Sequence, residues 1–244
     1  TLLTGTNVIK DSSKSGLYGS ISGSFTDGSQ LITGYDGTTN GAYSFNNSTG
    51  GIYFPKPQQD LTRSWTVSIW IYLLSTPSDS AGQALLSNHF KSELDIILYS
   101  NLKLYTGRNG TTSHNTYTGP TSGTSNFPLN TWLHVAITKD VFGEGTSDVE
   151  VKFYVNSELK ITTNGSVSTT AVSPSTTNPF IIGGRPDSQG VTNVKTDRDF
   201  NGYLDELKIY DYVLSHDEIK RLYSLNVDPD SRGIKVKQSG LVGI

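Results

Sequence analysis

Residues 200–223 read FNGYLDELKIYDYVLSHDEIKRLY, a strand and a helix in immediate succession. Residues 203–210 (YLDELKIY) are an apolar-rich run of strand length. Ser215-His216-Asp217-Glu218 then carries the Ser-x-x-Glu pattern of a capping box. In that motif the serine hydroxyl accepts from the glutamate's amide and the glutamate side chain reaches back to the serine's amide. Ile219, Leu222 and Tyr223 follow at three- and four-residue spacings and share one helical face. Asp228-Pro229 breaks the pattern. A single short helix on a strand-built chain is expected to plug one edge or end of the sheets.

Upstream, the apolar pattern has a period of two. In WTVSIWIYLL (65–74), Trp65, Val67, Ile69 and Ile71 fall on one face and Ser68, Trp70 and Tyr72 on the other. Both faces are apolar, which predicts a central strand covered on both sides. Residues 94–105 read as two strands around a Ser100-Asn101 turn, and 132–138 as another. In VEVKFYV (149–155), valines and Phe153 alternate with Glu150, Lys152 and Tyr154, which marks a half-exposed strand. It turns at Asn156-Ser157 and returns through Leu159 and Ile161. Residues 180–183 add one more strand. Long connections rich in Gly, Ser, Thr and Asn lie at 106–126, 163–179 and 184–199. They are either binding loops on a rigid frame or plain surface connections.

With 244 residues the chain can bury a large core as a single domain, and no internal repeat argues for two. It has no cysteine, which excludes disulfides, thiolate metal sites and cysteine nucleophiles. Nineteen basic and 22 acidic residues give a net charge of −3 without any block of one sign, so the footprint of a nucleic-acid binder is missing. No apolar run is long enough to span a bilayer, and no signal peptide is visible. Charged residues make up only 17%, so hydroxyls and amides supply the polar surface. Such a surface fits an extracellular, cell-surface or virion-surface setting.

Several stretches resemble the laminin-G-like jelly-roll families, relatives of pentraxins and legume lectins within the concanavalin A-like group. Their C-terminal signature is matched by Gly202, Asp205, Glu206, Leu207, Leu214, Ser215, Glu218 and Ile219. Ala42-Tyr43-Ser44-Phe45 with Ile52 resembles their first core strands, and SWTVSIWIY (64–72) the strand with a buried Trp. Asn130-Thr131-Trp132-Leu133-His134-Val135-Ala136 resembles their Trp-x-His-Val-Ala strand, and Asp11-Ser12-Ser13 with Gly19 their opening. The resemblance covers residues 8–225. It implies an all-β, two-sheet antiparallel jelly-roll sandwich with one short helix, a domain at 1–225 and a C-terminal extension or arm at 226–244. Hints of a strand in that arm come from Ile234, Val236 and Leu241.

Fold leaves function open. Glycoside hydrolysis needs two facing carboxyl groups, and the related sandwich glucanases carry Glu-x-Asp-x-x-Glu. Glu93-Leu94-Asp95-Ile96-Ile97-Leu98 comes nearest here, but Leu98 stands where the second Glu belongs, so no catalytic residue is expected. Asp205 and Glu206 are adjacent in a strand, point to opposite faces and cannot flank one bond. The resemblance implies a structural hydrogen-bonding role for Asp205, or calcium ligation together with Asp11. The four histidines lack zinc spacing, and no nucleophile elbow or phosphate loop appears. Trp65, Trp70 and Trp132 are all read as core.

Sugar recognition asks for an aromatic face and amides or carboxylates for hydroxyls. Candidates in the loops are Arg108, Asn109, His114, Asn115 and Tyr117, then Arg185, Asp187 and Asn193. The expectation is a non-catalytic carbohydrate-binding or adhesion module whose partner is a glycan or a protein surface. The alternative is a structural or assembly subunit, a homo-oligomer or virion component whose arm pairs with a neighbour as an added strand. A carbohydrate-active enzyme is the third and most distant reading.

Overall fold

The computed structural model describes residues 8–10, 18–22, 30–46, 51–54, 64–77, 82–87, 95–99, 104–106, 116–117, 127–142, 148–166, 180–185, 198–225 and 234–236. Its early strands are β1 (Val8–Lys10), β2 (Tyr18–Ser22), β3 (Leu31–Ile32), β4 (Ala42–Asn46) and β5 (Gly51–Phe54). Then come β6 (Trp65–Leu73), β7 (Gln83–Ser87), β8 (Asp95–Leu98), β9 (Leu104–Thr106) and β10 (Thr116–Tyr117). The later elements are β11 (Trp132–Val141), β12 (Asp148–Val155), β13 (Glu158–Ser166), β14 (Phe180–Ile182), β15 (Asn201–Tyr210), α1 (His216–Leu225) and β16 (Ile234–Val236).

These strands form two antiparallel sheets. The first runs β1-β2-β5-β14-β7-β8-β9-β10; the second runs β13-β12-β11-β6-β15-β4-β3, with β16 also paired to β15. The jelly-roll sandwich expected from the sequence is the fold observed. The predicted hairpin at 94–105 is β8–β9, with Leu98 opposite Leu104. The turn at Asn156-Ser157 joins β12 to β13, and both residues have positive φ (49° and 65°), the backbone hand that suits a two-residue hairpin.

The core lies between the sheets. Trp65, Val67, Ile69 and Ile71 of β6 face inward and are at most 1% exposed, packed with Phe45, Ile52, Leu86 and Val135. Burying each such aliphatic side chain contributes about 1.5–3 kcal/mol before conformational entropy is set against it.

Three expectations are corrected. Alpha1 does not plug an edge or end: it lies on the outward face of the second sheet, where Ile219 and Leu222 pack with Ala136, Tyr154, Tyr210 and Leu214. Ser68 and Ala136 are register partners, and these two small side chains leave room for the helix. The 106–126 and 163–179 connections are shorter than expected, because Thr116–Tyr117 pairs with β9 and β13 continues to Ser166. Finally, residues 234–236, the described part of the C-terminal arm, pair within their own chain, with Ile234 opposite Ile209 and Val236 opposite Leu207. The expected capping box is present: Ser215 N donates to Glu218 Oε2 at 2.7 Å, and Glu218 N to Ser215 Oγ at 3.3 Å.

Candidate functional site

The outward face of the second sheet is organised in rows, one residue from each of β11, β6 and β15. The first row is Trp132, Tyr72 and Tyr203; the next is His134, Trp70 and Asp205. Directly opposed residues of antiparallel strands share a face, so each row is a line of cross-strand neighbours.

The second row is covered. Trp70 is held between Tyr35, stacked at 4.0 Å between centroids, and Tyr223 of α1 at 5.6 Å. His134 is 1% exposed, and its Nε2 lies 2.8 Å from Ser68 Oγ. Burial, with a smaller contribution from Lys208, pulls the His134 pKa down to about 3, so the imidazole is neutral at physiological pH.

Asp205 fastens the loop that carries Tyr35. Its Oδ2 accepts from Tyr35 N at 3.2 Å and its Oδ1 from Glu206 N at 2.8 Å. A Cβ on Gly34 would sit 2.6 Å from Oδ2, so the loop approaches this closely only with glycine there. Burial pushes the Asp205 carboxyl up to about 6; the Tyr35 amide opposes that, and the charge of Glu206 adds to it. Burial and the carboxylates of Glu206, Asp36 and Asp205 likewise push the Tyr35 hydroxyl upward. This is the structural hydrogen-bonding role expected for Asp205. Asp11 lies outside the described residues, and no group of three or more metal-ligating side chains occurs among the described ones.

Strict alternation fails after Asp205. Glu206 has φ 47°, and the register with β6 slips there: Asp205 faces Trp70, yet Lys208 faces Ser68. The extra residue is a β-bulge. It re-phases the strand so that Leu207 and Ile209 reach the core and Lys208 faces outward, where its Nζ lies 2.9 Å from Glu206 Oε2. The expectation that Asp205 and Glu206 point to strictly opposite faces does not hold, since the bulge falls between Asp205 and Lys208, and Glu206 reaches Lys208 on the outward face that also carries Asp205. Beside the bulge a cavity of about 30 Å³, lined by Tyr43, Phe45 and Ile52, has space for a single water and not for a sugar ring.

The first row stays half-exposed. Tyr72 and Tyr203 stack at 4.9 Å; Trp132 meets Tyr72 edge-on at 5.5 Å and lies 6.3 Å from Tyr203. These separations close a compact triangle. Only Trp65 of the three tryptophans faces the core; Trp70 and Trp132 are half-buried on the outward face, which corrects their reading as core. Leu74 and Leu129, 37% and 39% exposed, follow and precede these rings in the chain.

The loop candidates are placed less completely. Arg108, Asn109, His114, Asn115, Asp187 and Asn193 lie outside the described residues. Tyr117 belongs to β10, not to a loop, and Arg185 is half-buried just after β14. Glu93 also lies outside them, while Leu98, at the place of the missing acid, is fully buried in the core.

Residues 20–220 match the family described as the concanavalin A-like lectin/glucanases superfamily, in its laminin-G group. The chain belongs to that superfamily. Among solved structures it is similar to the binding domain of a botulinum neurotoxin of serotype D/C, with TM-score 0.61, 16% identity, and coverage of 89% of this chain and 51% of that one. It is also similar to the native heptameric pentraxin of Limulus polyphemus, with TM-score 0.50, 16% identity, and coverage of 72% and 84%. A third is a botulinum neurotoxin type C structure whose description makes cell entry dependent on two ganglioside molecules, with TM-score 0.58, 16% identity, and coverage of 89% and 50%. At such identities the likeness is one of fold, and the chain spans about half the length of the neurotoxin structures. No curated protein sequence matches the chain.

Proposed function

We propose that this superfamily member is a non-catalytic recognition module, a carbohydrate-binding or adhesion domain acting outside the cell or on a cell or virion surface. The observation that carries this is the half-exposed triangle of Trp132, Tyr72 and Tyr203, presented on the outward face of the second sheet, with two exposed leucines close by in the chain. Tyr and Trp present a large apolar body with a polar tip at little cost in side-chain entropy, which is why they anchor recognition surfaces. The neurotoxin structure tied to gangliosides shares this fold, which favours a glycan as the partner. Leu98 in place of the second glucanase acid favours binding over hydrolysis. The loop residues Arg108, Asn109, His114, Asn115, Asp187 and Asn193 belong to the same proposal as a second possible contact surface.

A glycan array run with calcium and again with a chelator tests this. Binding to a defined set of glycans is expected, and uniform silence in both conditions sinks the carbohydrate reading. A requirement for calcium would bring Asp11 and Asp205 back as its ligands.

The second reading is assembly. β16, three residues of the arm, pairs with β15 of its own chain, a pairing that the arm of a second copy would satisfy equally, and the Limulus pentraxin is a heptamer. Light scattering of a variant lacking residues 226–244 decides it: an unchanged oligomeric state removes the arm from any assembly.

A further inference from the structure

Among the described residues, the two coverings of the second sheet's outward face lie over the second row and reach the first only at the edge of Trp132. Alpha1 sits over Ala136, Tyr154 and Tyr210, and the Tyr35 ring lies over Trp70, touching Trp132 only edge-on at 6.5 Å. Among the described residues, the cross-strand and chain neighbours of Trp132, Tyr72 and Tyr203 on this side of the row are uncharged. Ser44 is opposite Tyr203 in register, Asn201 shares the outward face two residues before Tyr203, and exposed Thr131 precedes Trp132. Asn201 Nδ2 donates to Ser75 Oγ at 2.8 Å, which fixes that amide beside the row. Asp205, two residues after Tyr203 on the same face, has both oxygens engaged by backbone amides.

We propose that Trp132, Tyr72 and Tyr203 form a subsite for one uncharged pyranose ring, bound without calcium on the helix-bearing face of the second sheet. This rests on the recognition-module reading and names its ligand and place. An aromatic ring carries negative charge on its face, which attracts the polarised C–H groups on the flat side of a sugar. Hydroxyls on the sugar's rim need short, uncharged partners: Ser44 offers its hydroxyl, Asn201 its amide oxygen, and Thr131 its hydroxyl oxygen as an acceptor while that hydroxyl donates to Leu129 O at 3.4 Å. None of these three is a cation, so among the described residues the rim does not select a carboxylated sugar such as a sialic acid. Pairing through hydroxyls and amides needs no bridging metal.

The chain has three tryptophans, so an amide spectrum of the full-length, ¹⁵N-labelled protein holds three indole signals. The probes are cellohexaose, maltohexaose and chitohexaose, with sialyllactose as the charged control, all in chelator. One neutral oligosaccharide is expected to move the Trp132 signal in a saturable way and leave Trp65, which is 1% exposed, in place. Tyr203→Ala should weaken that binding tenfold or more while the Trp65 signal stays where it is in the native protein. A neutral sugar that binds without moving Trp132 puts the ligand elsewhere: it overturns the subsite and keeps the recognition reading. Shifts seen only with sialyllactose, only with calcium, or only on adding a protein partner also overturn it. Silence here and on the array overturns both.

Discussion

The ring of Tyr35 lies flat on the indole of Trp70, 4.0 Å between centroids and 10° between planes, while its own backbone amide is held by Asp205. Main chain and side chain of one residue thus fasten the 33–41 loop to β6 and β15 together. Asp205→Ala would leave the Tyr35 and Glu206 amides without their acceptor. Each unsatisfied, partly buried donor costs about 1–3 kcal/mol, so a loss of about 2–3 kcal/mol is expected. Urea denaturation measures it, and tryptophan emission should shift to the red as Trp70 loses its cover. A loss below about 0.5 kcal/mol would mean that stacking alone holds the loop.

Gly202 is where β15 and β6 come closest. A Cβ there would lie 2.1 Å from the carbonyl oxygen of Tyr72 and 3.0 Å from the Phe200 ring. Both strands are central in the sheet, and neither can move aside without losing ladder bonds to its other neighbour. Gly202→Ala should therefore cost more than about 4 kcal/mol, which lowers Tm by about 8–16 °C in a chain of this size. Calorimetry decides it, and an unchanged Tm would show that the strands have slack.

His134 and Asp205 pull stability in opposite directions with pH. In the unfolded chain His134 titrates near 6.5, but in the fold only near 3, so the unfolded state takes up the proton first and stability falls as pH drops below about 6.5. Asp205 titrates near 3.8 unfolded and about 6 folded, so the fold takes up that proton first and stability rises as pH drops through 6. Between pH 6 and 4 the two offset each other. His134→Gln removes only the first, so the stability difference between native protein and variant should shrink by about 1.4 kcal/mol per pH unit below 6.5. Denaturant titrations at pH 7, 5.5 and 4.5 test this; a difference that does not change with pH would mean that His134 is charged in the fold.

What could be read from residues alone was what depends on near neighbours in the chain. Alternation in β6 sorted Trp65, Val67, Ile69 and Ile71 from Ser68, Trp70 and Tyr72, and the capping box at Ser215 gave the helix start. β7 was missed because Gln83–Ser87 is buried throughout and so does not alternate. The partial exposure of Trp70 and Trp132 was not legible, because it depends on where α1 and the Tyr35 loop lie over the sheet. The bulge leaves a trace in the sequence. Leu204 and Leu207 both face the core three residues apart, where an unbroken strand requires an even spacing.

The bulge also sets a test of how this strand is held. Lys208 and Glu206 form an ion pair at 2.9 Å, with side chains 5% and 9% exposed. Removing one partner of a buried pair leaves a charge stranded in a poorly solvated place, at a cost of about 3–5 kcal/mol. Lys208→Met should cost that much, because it strips the ammonium from Glu206. Replacing both residues, with Glu206→Gln beside Lys208→Met, removes the charge problem together with the attraction and should recover most of the loss. The double-mutant cycle from urea denaturation reads the coupling directly. If the double variant is as unstable as the single one, a stranded Glu206 charge is not what Lys208→Met costs, and the loss lies in the contacts of the Lys208 side chain itself.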